Sequence, residues 1–312
     1  MRTEHITYPS SDGIHQLHAV FYLPEADVPL LGVVQLAHGM CDYVGRYTGL
    51  AEALTQAGYL LCGNDHLGHG QSVSDPEELG FFAEHDGVGY VVDDLHALTG
   101  LTKERYPDLP YVLLGHSMGS FLCRLYASRF GYELDGLVIL GTSGPNPILG
   151  VGKALASVIR FFRGARHRSR TLAKMAFMGY NSKYEKGCSP HAWISRDTAV
   201  LDSYAADPLS TFTFTVAAYQ DLFSMLGESN APAWFETFPK TLRTYVVAGD
   251  MDPVGSWGQG PAYVAETLRK SGVTDVTLRL YEGARHELFH ETEPTRSAFF
   301  ADLVDWLGRS AE

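Results

Sequence analysis

The chain has 312 residues, of which 45% are hydrophobic and 19% are charged. This length and apolar content are enough to bury a sizeable core in one large domain with an insertion or in two modest domains, and they exclude a disordered chain. The formal net charge of −12 argues against a nucleic acid as a partner of the protein as a whole.

The first 13 residues are polar and include Arg2, Glu4 and Asp12, so they lack the apolar stretch of a secretory signal. No uninterrupted apolar run further along the chain reaches the roughly 18 residues that a membrane-spanning helix needs. None of the four cysteines belongs to a CxxC pair, and their spacing favours reduced thiols over a disulfide framework or a zinc site. We therefore expect a soluble cytoplasmic protein.

Short apolar runs, typical of buried strands, alternate with stretches of helical spacing. In chain order we predict a strand at 31–37, a helix at 46–57, a strand at 59–62, a helix at 88–105, a strand at 111–114, a helix at 121–130 and a strand at 137–140. The alternation of strands and helices resumes much later with a strand at 244–248, a helix at 261–270, a strand at 277–281 and a final helix at 295–307. This alternation predicts an α/β fold with a mostly parallel central sheet and helices on both faces.

The alternation stops between about residue 144 and residue 240, where the pattern is mainly helical and Pro145 and Pro147 mark the start. We interpret this stretch as a mainly helical cap inserted after a strand of the sheet. The predicted organisation is a first part of the core at 1–143, a cap at 144–240 and a second part of the core at 241–312.

The predicted strand at 111–114 leads directly into Gly115-His116-Ser117-Met118-Gly119, a G-x-S-x-G motif, and a predicted helix follows. This setting is what a nucleophile elbow requires, because the sharp turn strains the serine backbone and tolerates only small neighbours. The turn also puts the hydroxyl at a helix N-terminus, whose amides face developing negative charge. We predict that Ser117 is a nucleophile rather than a serine that only caps its own helix.

A serine nucleophile needs a base, and the base needs an acid that orients it. His286 follows the last predicted strand, and Asp250 and Asp252 follow the strand before it. The carboxyl ends of parallel strands meet at one rim of the sheet, so these groups would lie close to Ser117. The residue pattern leaves either aspartate open as the acid.

Acyl transfer also needs donors for the oxyanion of the tetrahedral intermediate. One is expected to be the amide of Met118, directly after the nucleophile. The other is expected to be the amide of Met40, in the loop that follows the predicted strand at 31–37.

Four segments carry more specific information: HGMCDYVGRY at 38–47, NDHLGHGQS at 64–72, GHSMG at 115–119 and YEGARHELFHE at 281–291. In these segments the chain resembles the monoacylglycerol lipase and lysophospholipase group of α/β-hydrolases, a serine aminopeptidase S33-type group. The resemblance spans nearly the whole predicted core in the expected order, although residues 41–43 depart from the usual Gly-Glu-His run. It implies the α/β-hydrolase fold, with Ser117 as nucleophile, His286 as base and Asp252 as acid.

Two histidine patterns have a competing interpretation as metal sites. His286 and His290 match the H-E-x-x-H zinc-protease signature, but they follow a predicted strand instead of lying on a helix, so we expect no metal there. His66 and His69 are expected to be loop histidines that bond to the backbone, with Asp65 tying down the same loop.

The first half of the predicted cap is unusually basic. Residues 145–187 hold nine lysines and arginines against Glu185 alone, a charge of +8 inside an acidic chain. Apolar residues recur there at helical spacing, which is typical of a cap helix over an acyl pocket and, alternatively, of an amphipathic segment resting on an anionic membrane surface. The candidate substrate-binding residues of the chain are Gly39, Cys41, His116, Phe161 and Phe162.

These features together predict a serine carboxylic-ester hydrolase that works through an acyl-enzyme, needs no cofactor and acts on monoacylglycerols or similar mono-acyl lipids such as lysophospholipids. Three alternatives stay open: a serine peptidase of the proline-iminopeptidase type, a zinc peptidase and a non-catalytic ligand-binding protein. The first would need cap carboxylates to bind a substrate amine, and Asp197, Asp202 and Asp207 are candidates.

Overall fold

Eight strands form one sheet in the computed structural model, which describes residues 1–309. The strands are β1 (Arg2–Pro9), β2 (Gln16–Leu23), β3 (Gly32–Ala37), β4 (Tyr59–Asn64), β5 (Tyr111–His116), β6 (Gly136–Leu140), β7 (Arg243–Gly249) and β8 (Val276–Tyr281). Their order in the sheet is β1-β2-β4-β3-β5-β6-β7-β8. β2 pairs antiparallel with β1 and with β4, and all other neighbours are parallel. The predicted mostly parallel sheet is confirmed.

Helices cover both faces of this sheet. Those of the core are α1 (Thr48–Gln56), α2 (Gly87–Arg105), α3 (Met118–Phe130), α9 (Gln259–Lys270) and α10 (Thr295–Gly308). Buried side chains of α1 and α10 form one hydrophobic cluster with the sheet, and those of α2, α3 and α9 form another. Strands β3, β4, β5 and β6 are buried along their whole length because both of their faces are covered. Predicted and observed bounds of these elements differ by no more than three residues.

The hairpin of β1 and β2 is the part of the sheet that the sequence patterns did not predict. β1 is an edge strand in which only Tyr8 is buried, so its apolar content is too low to mark it as a strand. The available signal was the Asp12-Gly13 turn, in which Gly13 adopts a φ of 73°.

Between β6 and β7 the chain forms the predicted mainly helical insertion. Its helices are α4 (Leu149–Arg163), α5 (Arg170–Ala176), α6 (Thr198–Ala206), α7 (Val216–Ser229) and α8 (Pro232–Thr237). The limits at residues 144 and 240 stay a prediction, and residues 310–312 of the second predicted core segment lie outside the described residues.

Two further sequence expectations can be compared with the structure. All four cysteines are free, and three of them are buried, in agreement with the predicted thiols. Within residues 1–309, no helix has the length and apolar character needed to cross a membrane.

Candidate active site

Ser117 occupies a strained turn between β5 and α3. Its φ of 55° and ψ of −120° are rarely adopted by a residue with a side chain. A hydrogen bond to the neighbouring strand stabilises the turn: the Ser117 amide donates to the carbonyl oxygen of Leu140, at the end of β6, at 2.9 Å. The predicted nucleophile therefore lies at the carboxyl ends of the central strands, with its side chain partly exposed in a cavity.

The two glycines of the G-x-S-x-G motif are required by close packing. A Cβ at Gly119 would overlap the carbonyl oxygen of Ala37 in β3, and a Cβ at Gly115 would overlap the carbonyl oxygen of Gly119. Because α3 begins directly against β3, this turn can form only where these two positions lack side chains.

His286 and Asp252 form a buried pair beside the same cavity. His286 follows β8, Asp252 follows β7, and the His286 Nδ1 lies 2.9 Å from the Asp252 Oδ2. Asp252 is completely buried, and its second oxygen accepts a hydrogen bond from the amide of Val254. Asp250 lies apart from the imidazole and instead accepts a bond of 2.7 Å from the amide of Gly283. Of the two aspartates left open by the sequence, the structure brings Asp252 to His286.

The electrostatic surroundings of His286 favour its protonated form. Burial by itself would lower the pKa of His286, but the charge of Asp252 and its hydrogen bond raise that pKa above the ordinary value. The carboxylates of Glu287 and Asp42 act in the same direction. A base in this position holds a proton more strongly than a free imidazole and keeps its Nδ1 engaged with Asp252.

The loop after β3 lies directly against Ser117. A Cβ at Gly39 would lie 3.2 Å from the Ser117 Cβ, so the loop approaches the serine as closely as its glycine allows. Met40 and Met118, whose amides are the predicted oxyanion donors, both line the cavity. Cys41 completes the loop in the left-handed region, with a φ of 52°.

The cavity that contains Ser117 has a volume of about 360 Å³, and the insertion contributes a large part of its lining. Of the predicted substrate-binding residues, Gly39, Cys41 and His116 line it. Phe161 and Phe162 do not, and they are 83% and 75% exposed. The reason lies in α4, which is apolar on more than one side and packs inward through Gly152 and Ala156 and, partly buried, through Leu155 and Ile159.

A buried ionic group forms the polar part of the cavity wall, and the sequence reasoning missed it. Arg46 binds both carboxylate oxygens of Glu287, at 2.9 and 2.8 Å, and one oxygen of Asp42 at 3.0 Å. Burial would raise the pKa of Glu287, but the Arg46 guanidinium holds it well below the usual range. Burial also raises the pKa of Asp42. The partial signal was that Asp42 follows Cys41 and Glu287 follows His286 in the chain, but no pattern connected either residue to Arg46.

His116 connects this ionic group to the elbow. Its Nδ1 lies 2.8 Å from the Tyr47 hydroxyl, which donates a bond of 2.7 Å to Asp42. The imidazole is almost fully buried, and its centroid lies 4.7 Å from that of the His286 ring, with the two rings tilted by 43°. Although His116 lines the cavity, its hydrogen bond and its ring contacts are made with other groups of the protein.

The backbone around His286 is held by the insertion. The His286 amide donates to the carbonyl of Trp193, and the Glu287 amide donates to the carbonyl of Ile194, at 3.2 and 2.8 Å. Arg285 adds a bond from its guanidinium to the carbonyl of Ala192. These contacts were not foreseen, because no sequence pattern connects residues about ninety positions apart.

The H-E-x-x-H residues do not have the arrangement that a zinc signature requires. His286 lies in an irregular loop, and His290 ends a single 3-10 turn, so the two rings do not share one face of a helix. Each ring already faces a carboxylate, His286 that of Asp252 and His290 that of Glu287. Among residues 1–309, no three His, Cys, Asp or Glu side chains are grouped as a metal site.

Comparisons with known proteins agree with this architecture. A family model described as "Serine aminopeptidase, S33" matches residues 29–293. The monoacylglycerol lipase of Mycolicibacterium smegmatis is 29% identical over 311 residues, covering 98% of this chain and 97% of that protein. A solved thermostable carboxyl esterase from Bacillus coagulans matches with a TM-score of 0.91 and 27% identity, covering 99% of this chain and 98% of that chain. A solved lipase in its open form matches with a TM-score of 0.87 and 28% identity over the full length of both chains. The predicted α/β-hydrolase fold is confirmed.

Proposed function

The chain belongs to the serine aminopeptidase S33 family, and we propose that it is a carboxylic ester hydrolase that cleaves mono-acyl lipids through an acyl-enzyme on Ser117. The proposal depends chiefly on one observation, which is that the strained Ser117 and the Asp252–His286 pair meet at the wall of a single cavity. The similarity over nearly the full length of a monoacylglycerol lipase and of a carboxyl esterase supports the same reaction class.

In the first half of the reaction, the Ser117 hydroxyl attacks the ester carbonyl while His286 accepts its proton. The carbonyl oxygen becomes an oxyanion, which the amides of Met40 and Met118 stabilise. Asp252 keeps the proton on the Nδ1 of His286, so that the other ring nitrogen is free to act as the base. The C–O bond to the alcohol then breaks, and the alcohol leaves with the proton from His286.

In the second half, water attacks the acyl-enzyme. His286 removes a proton from the water, and the same two amides stabilise the second oxyanion. Breaking the bond to Ser117 releases the carboxylic acid and returns the proton to the serine. The balance of the reaction is one ester and one water giving one acid and one alcohol, and it requires no cofactor.

The lining of the cavity supports an acyl chain as the ligand. Its apolar wall is contributed by α3 and by the insertion, with Phe121, Leu149, Met175, Leu222, Phe223 and Leu226 as its main side chains. Such a surface binds hydrocarbon by removing it from water. A polar wall lies next to residues 39–41 and is formed by Asp42, Arg46 and Glu287. A small polyol such as glycerol is the alcohol that suits this polar wall.

The same wall disfavours the peptidase alternative. A substrate amine needs a carboxylate that is free to bind it, but Asp42 and Glu287 are already paired with Arg46. The cap carboxylates considered from sequence are elsewhere: Asp197 caps α6, Asp207 caps the turn that follows α6, and neither these two nor Asp202 lines the cavity. An aminoacyl amide is therefore expected to be a poor substrate.

The test is hydrolysis of p-nitrophenyl esters from short to long acyl chains, of a 1-monoacylglycerol and of an aminoacyl amide, by the wild type and by Ser117→Ala. Activity on the esters and on the monoacylglycerol that disappears in Ser117→Ala supports the proposal. Activity confined to the amide would favour the peptidase. A wild type inactive on every substrate, or a Ser117→Ala variant with full activity, would overturn the proposed function.

We further propose that the insertion makes peripheral contact with an anionic lipid surface. Five apolar side chains of the insertion are largely exposed: Val151, Val158, Phe161, Phe162 and Met178. None of the nine basic side chains of residues 145–187 forms an ion pair with a carboxylate within residues 1–309. Arg160 and Arg168 instead bond to backbone carbonyls, which leaves seven for a lipid surface. Met178 also lines the cavity, so this surface adjoins the acyl-binding space. Exposed apolar side chains within a basic segment are the combination that binds an anionic membrane interface.

A further inference from the structure

Three buried histidines lie behind the oxyanion loop, which comprises residues 39–41 and carries the Met40 amide. The mechanism above does not use them. His38 follows β3, while His66 and His69 belong to the loop after β4, and none of the three is exposed. The ring centroids of His38 and His66 lie 4.0 Å apart with the rings tilted by 32°, and the ring of His69 lies 5.2 Å from that of His38. A buried imidazole loses its hydration, so each ring is stable there only with fixed partners.

The partners of His38 determine which of its nitrogens carries the hydrogen. Its Nε2 lies 2.9 Å from the amide of His66, which can only donate, so Nε2 is an acceptor. Its Nδ1 lies 2.9 Å from the carbonyl oxygen of Gly39, which can only accept, so Nδ1 carries the hydrogen. His38 is therefore a neutral imidazole that donates to Gly39, and burial holds its pKa well below the ordinary value.

The partners of His69 lead to the same conclusion. Its Nδ1 donates to the carbonyl oxygen of Leu67 at 2.9 Å, and its Nε2 accepts from the amide of Cys41 at 3.3 Å. Burial lowers the pKa of His69 to about 4, so the ring is neutral at physiological pH. The ring is fixed in place between Phe82 and Phe214, at centroid distances of 5.6 and 5.4 Å.

These two contacts fix both peptide units that flank Met40. The carbonyl of Gly39 and the amide of Met40 belong to one planar trans peptide and point in opposite directions, so a bond to that carbonyl also sets the direction of the Met40 N–H. The next peptide joins the Met40 carbonyl to the Cys41 amide, and His69 holds that amide away from the cavity.

The conformation of Cys41 makes such a restraint necessary. Its φ of 52° is unfavourable for a residue with a side chain, so the loop would relax without a partner for its amide. The Cys41 thiol donates to the carbonyl of Phe212 at 3.2 Å, which anchors the other side of the residue.

From this geometry we infer that His69, together with His38, is a positioning residue that aims the Met40 amide at the substrate oxyanion. The inference rests on the proposed function, because it assumes that the Met40 amide stabilises an oxyanion. It assigns a role to the DHLGHG segment at 65–70, whose histidines neither touch the substrate nor bind a metal in the proposed mechanism.

The test compares His69→Gln, His69→Asn and His69→Leu. Glutamine places an acceptor oxygen about where the Nε2 lies, asparagine is too short to reach the Cys41 amide, and leucine provides no acceptor. His96→Leu is the control, because His96 lies on α2 and contacts Glu133 and Phe130, and no residue of the loops that hold His38 and His69.

The readout is kcat/KM for an ester and for its thionoester, together with the Ki of a trifluoromethyl ketone that forms a tetrahedral adduct. Sulfur is a weaker hydrogen-bond acceptor than oxygen, so an aligned oxyanion hole favours the oxygen ester. We expect His69→Leu and His69→Asn to lose roughly 10²-fold in kcat/KM for the ester. The preference over the thionoester should fall and the Ki of the ketone should rise in parallel. His69→Gln and His96→Leu should keep the wild-type preference.

Equal losses on ester and thionoester, an unchanged Ki, or a His69→Asn variant that behaves like His69→Gln would overturn the inference. If His69→Leu does not fold, the comparison of asparagine with glutamine still decides. A failure of the proposed function is distinguishable, because the wild type would then be inactive or Ser117→Ala would be active before any histidine is changed.

Discussion

At the scale of single residues, the proposed chemistry depends on a carboxylate that water cannot reach. Asp252 is fully buried, with one oxygen on His286 and the other on the Val254 amide. Because no solvent screens it, its charge acts on His286 more strongly than that of an exposed carboxylate would. The pKa of His286 is accordingly raised although burial opposes protonation.

The pH dependence of activity follows from this shift. His286 must be neutral to act as the base, so kcat/KM should fall as the pH decreases through a pKa above the ordinary value of about 6.5. The effect on stability has the opposite sign: protonated His286 stabilises the fold below about pH 6.5, and this contribution is lost as the pH rises through the folded pKa. A pH profile of kcat/KM on a short p-nitrophenyl ester measures the first effect, and an acid limb at or below about pH 6.5 would contradict it.

Substitution of the two aspartates after β7 separates their roles. Asp252→Asn should lower kcat by roughly 10⁴-fold, because the imidazole loses the group that fixes its tautomer. It should also move the acid limb to lower pH, since burial then dominates the pKa of His286. Asp250→Asn is the matched control, because an asparagine oxygen can still accept the bond from Gly283. Near-normal turnover of Asp252→Asn, or a comparable loss in Asp250→Asn, would contradict the assignment.

Single site residues could be proposed from sequence where the chain itself imposes the geometry. Ser117 is the candidate nucleophile because a strand, a tight turn and a helix are contiguous, and His286 is the candidate base because it follows the last strand. The acid could not be separated by pattern alone, since Asp250 and Asp252 are two positions apart and only the turn after β7 decides which one faces the imidazole. The Arg46 group was missed because its members come from distant segments.

At the scale of elements, α4 is the helix whose role periodicity could not predict. It carries apolar side chains on its buried side and on part of its exposed side, so spacing alone did not show which of them face the cavity. Gly152 lines the cavity and Ala156 is buried, whereas Phe161 and Phe162 extend into solvent. The hairpin of β1 and β2 was missed for the converse reason, that its edge strand is largely polar.

The outward side of α4 leads to a prediction about lipid surfaces. Phe161→Ser with Phe162→Ser should reduce co-sedimentation with vesicles containing anionic phospholipid and slow hydrolysis of a monoacylglycerol presented in them. Hydrolysis of a short, soluble p-nitrophenyl ester should be unchanged, because neither side chain lines the cavity. Tyr132→Ser is the control. Tyr132 is similarly exposed, but it lies in the turn after α3, outside the insertion. Wild-type binding that does not respond to anionic lipid would contradict the proposed surface contact.

At the scale of the whole molecule, the insertion and the core share one hydrophobic cluster. Phe214, Tyr219 and Trp234 from the insertion are buried together with Leu95 and Phe121 from the core. The loop that carries His286 also depends on the insertion for its backbone hydrogen bonds. The cap predicted from sequence is thus a region of the chain that is not expected to fold by itself.

Calorimetry can test this shared stability. Because the cluster spans both regions, heating should give a single transition whose calorimetric and van't Hoff enthalpies agree. Loss of near-ultraviolet circular dichroism and loss of esterase activity should coincide with it. Two separated transitions, with activity lost in the first, would instead show that the insertion unfolds independently.

The most direct measurement of the central claim is mass spectrometry of the protein quenched during turnover of a p-nitrophenyl ester. The account predicts an added mass equal to the acyl group, located on the peptide that contains Ser117 and absent from Ser117→Ala, together with loss of hydrolysis in that variant. Turnover without an adduct on this peptide, or hydrolysis that persists in Ser117→Ala, would contradict an acyl-enzyme on Ser117.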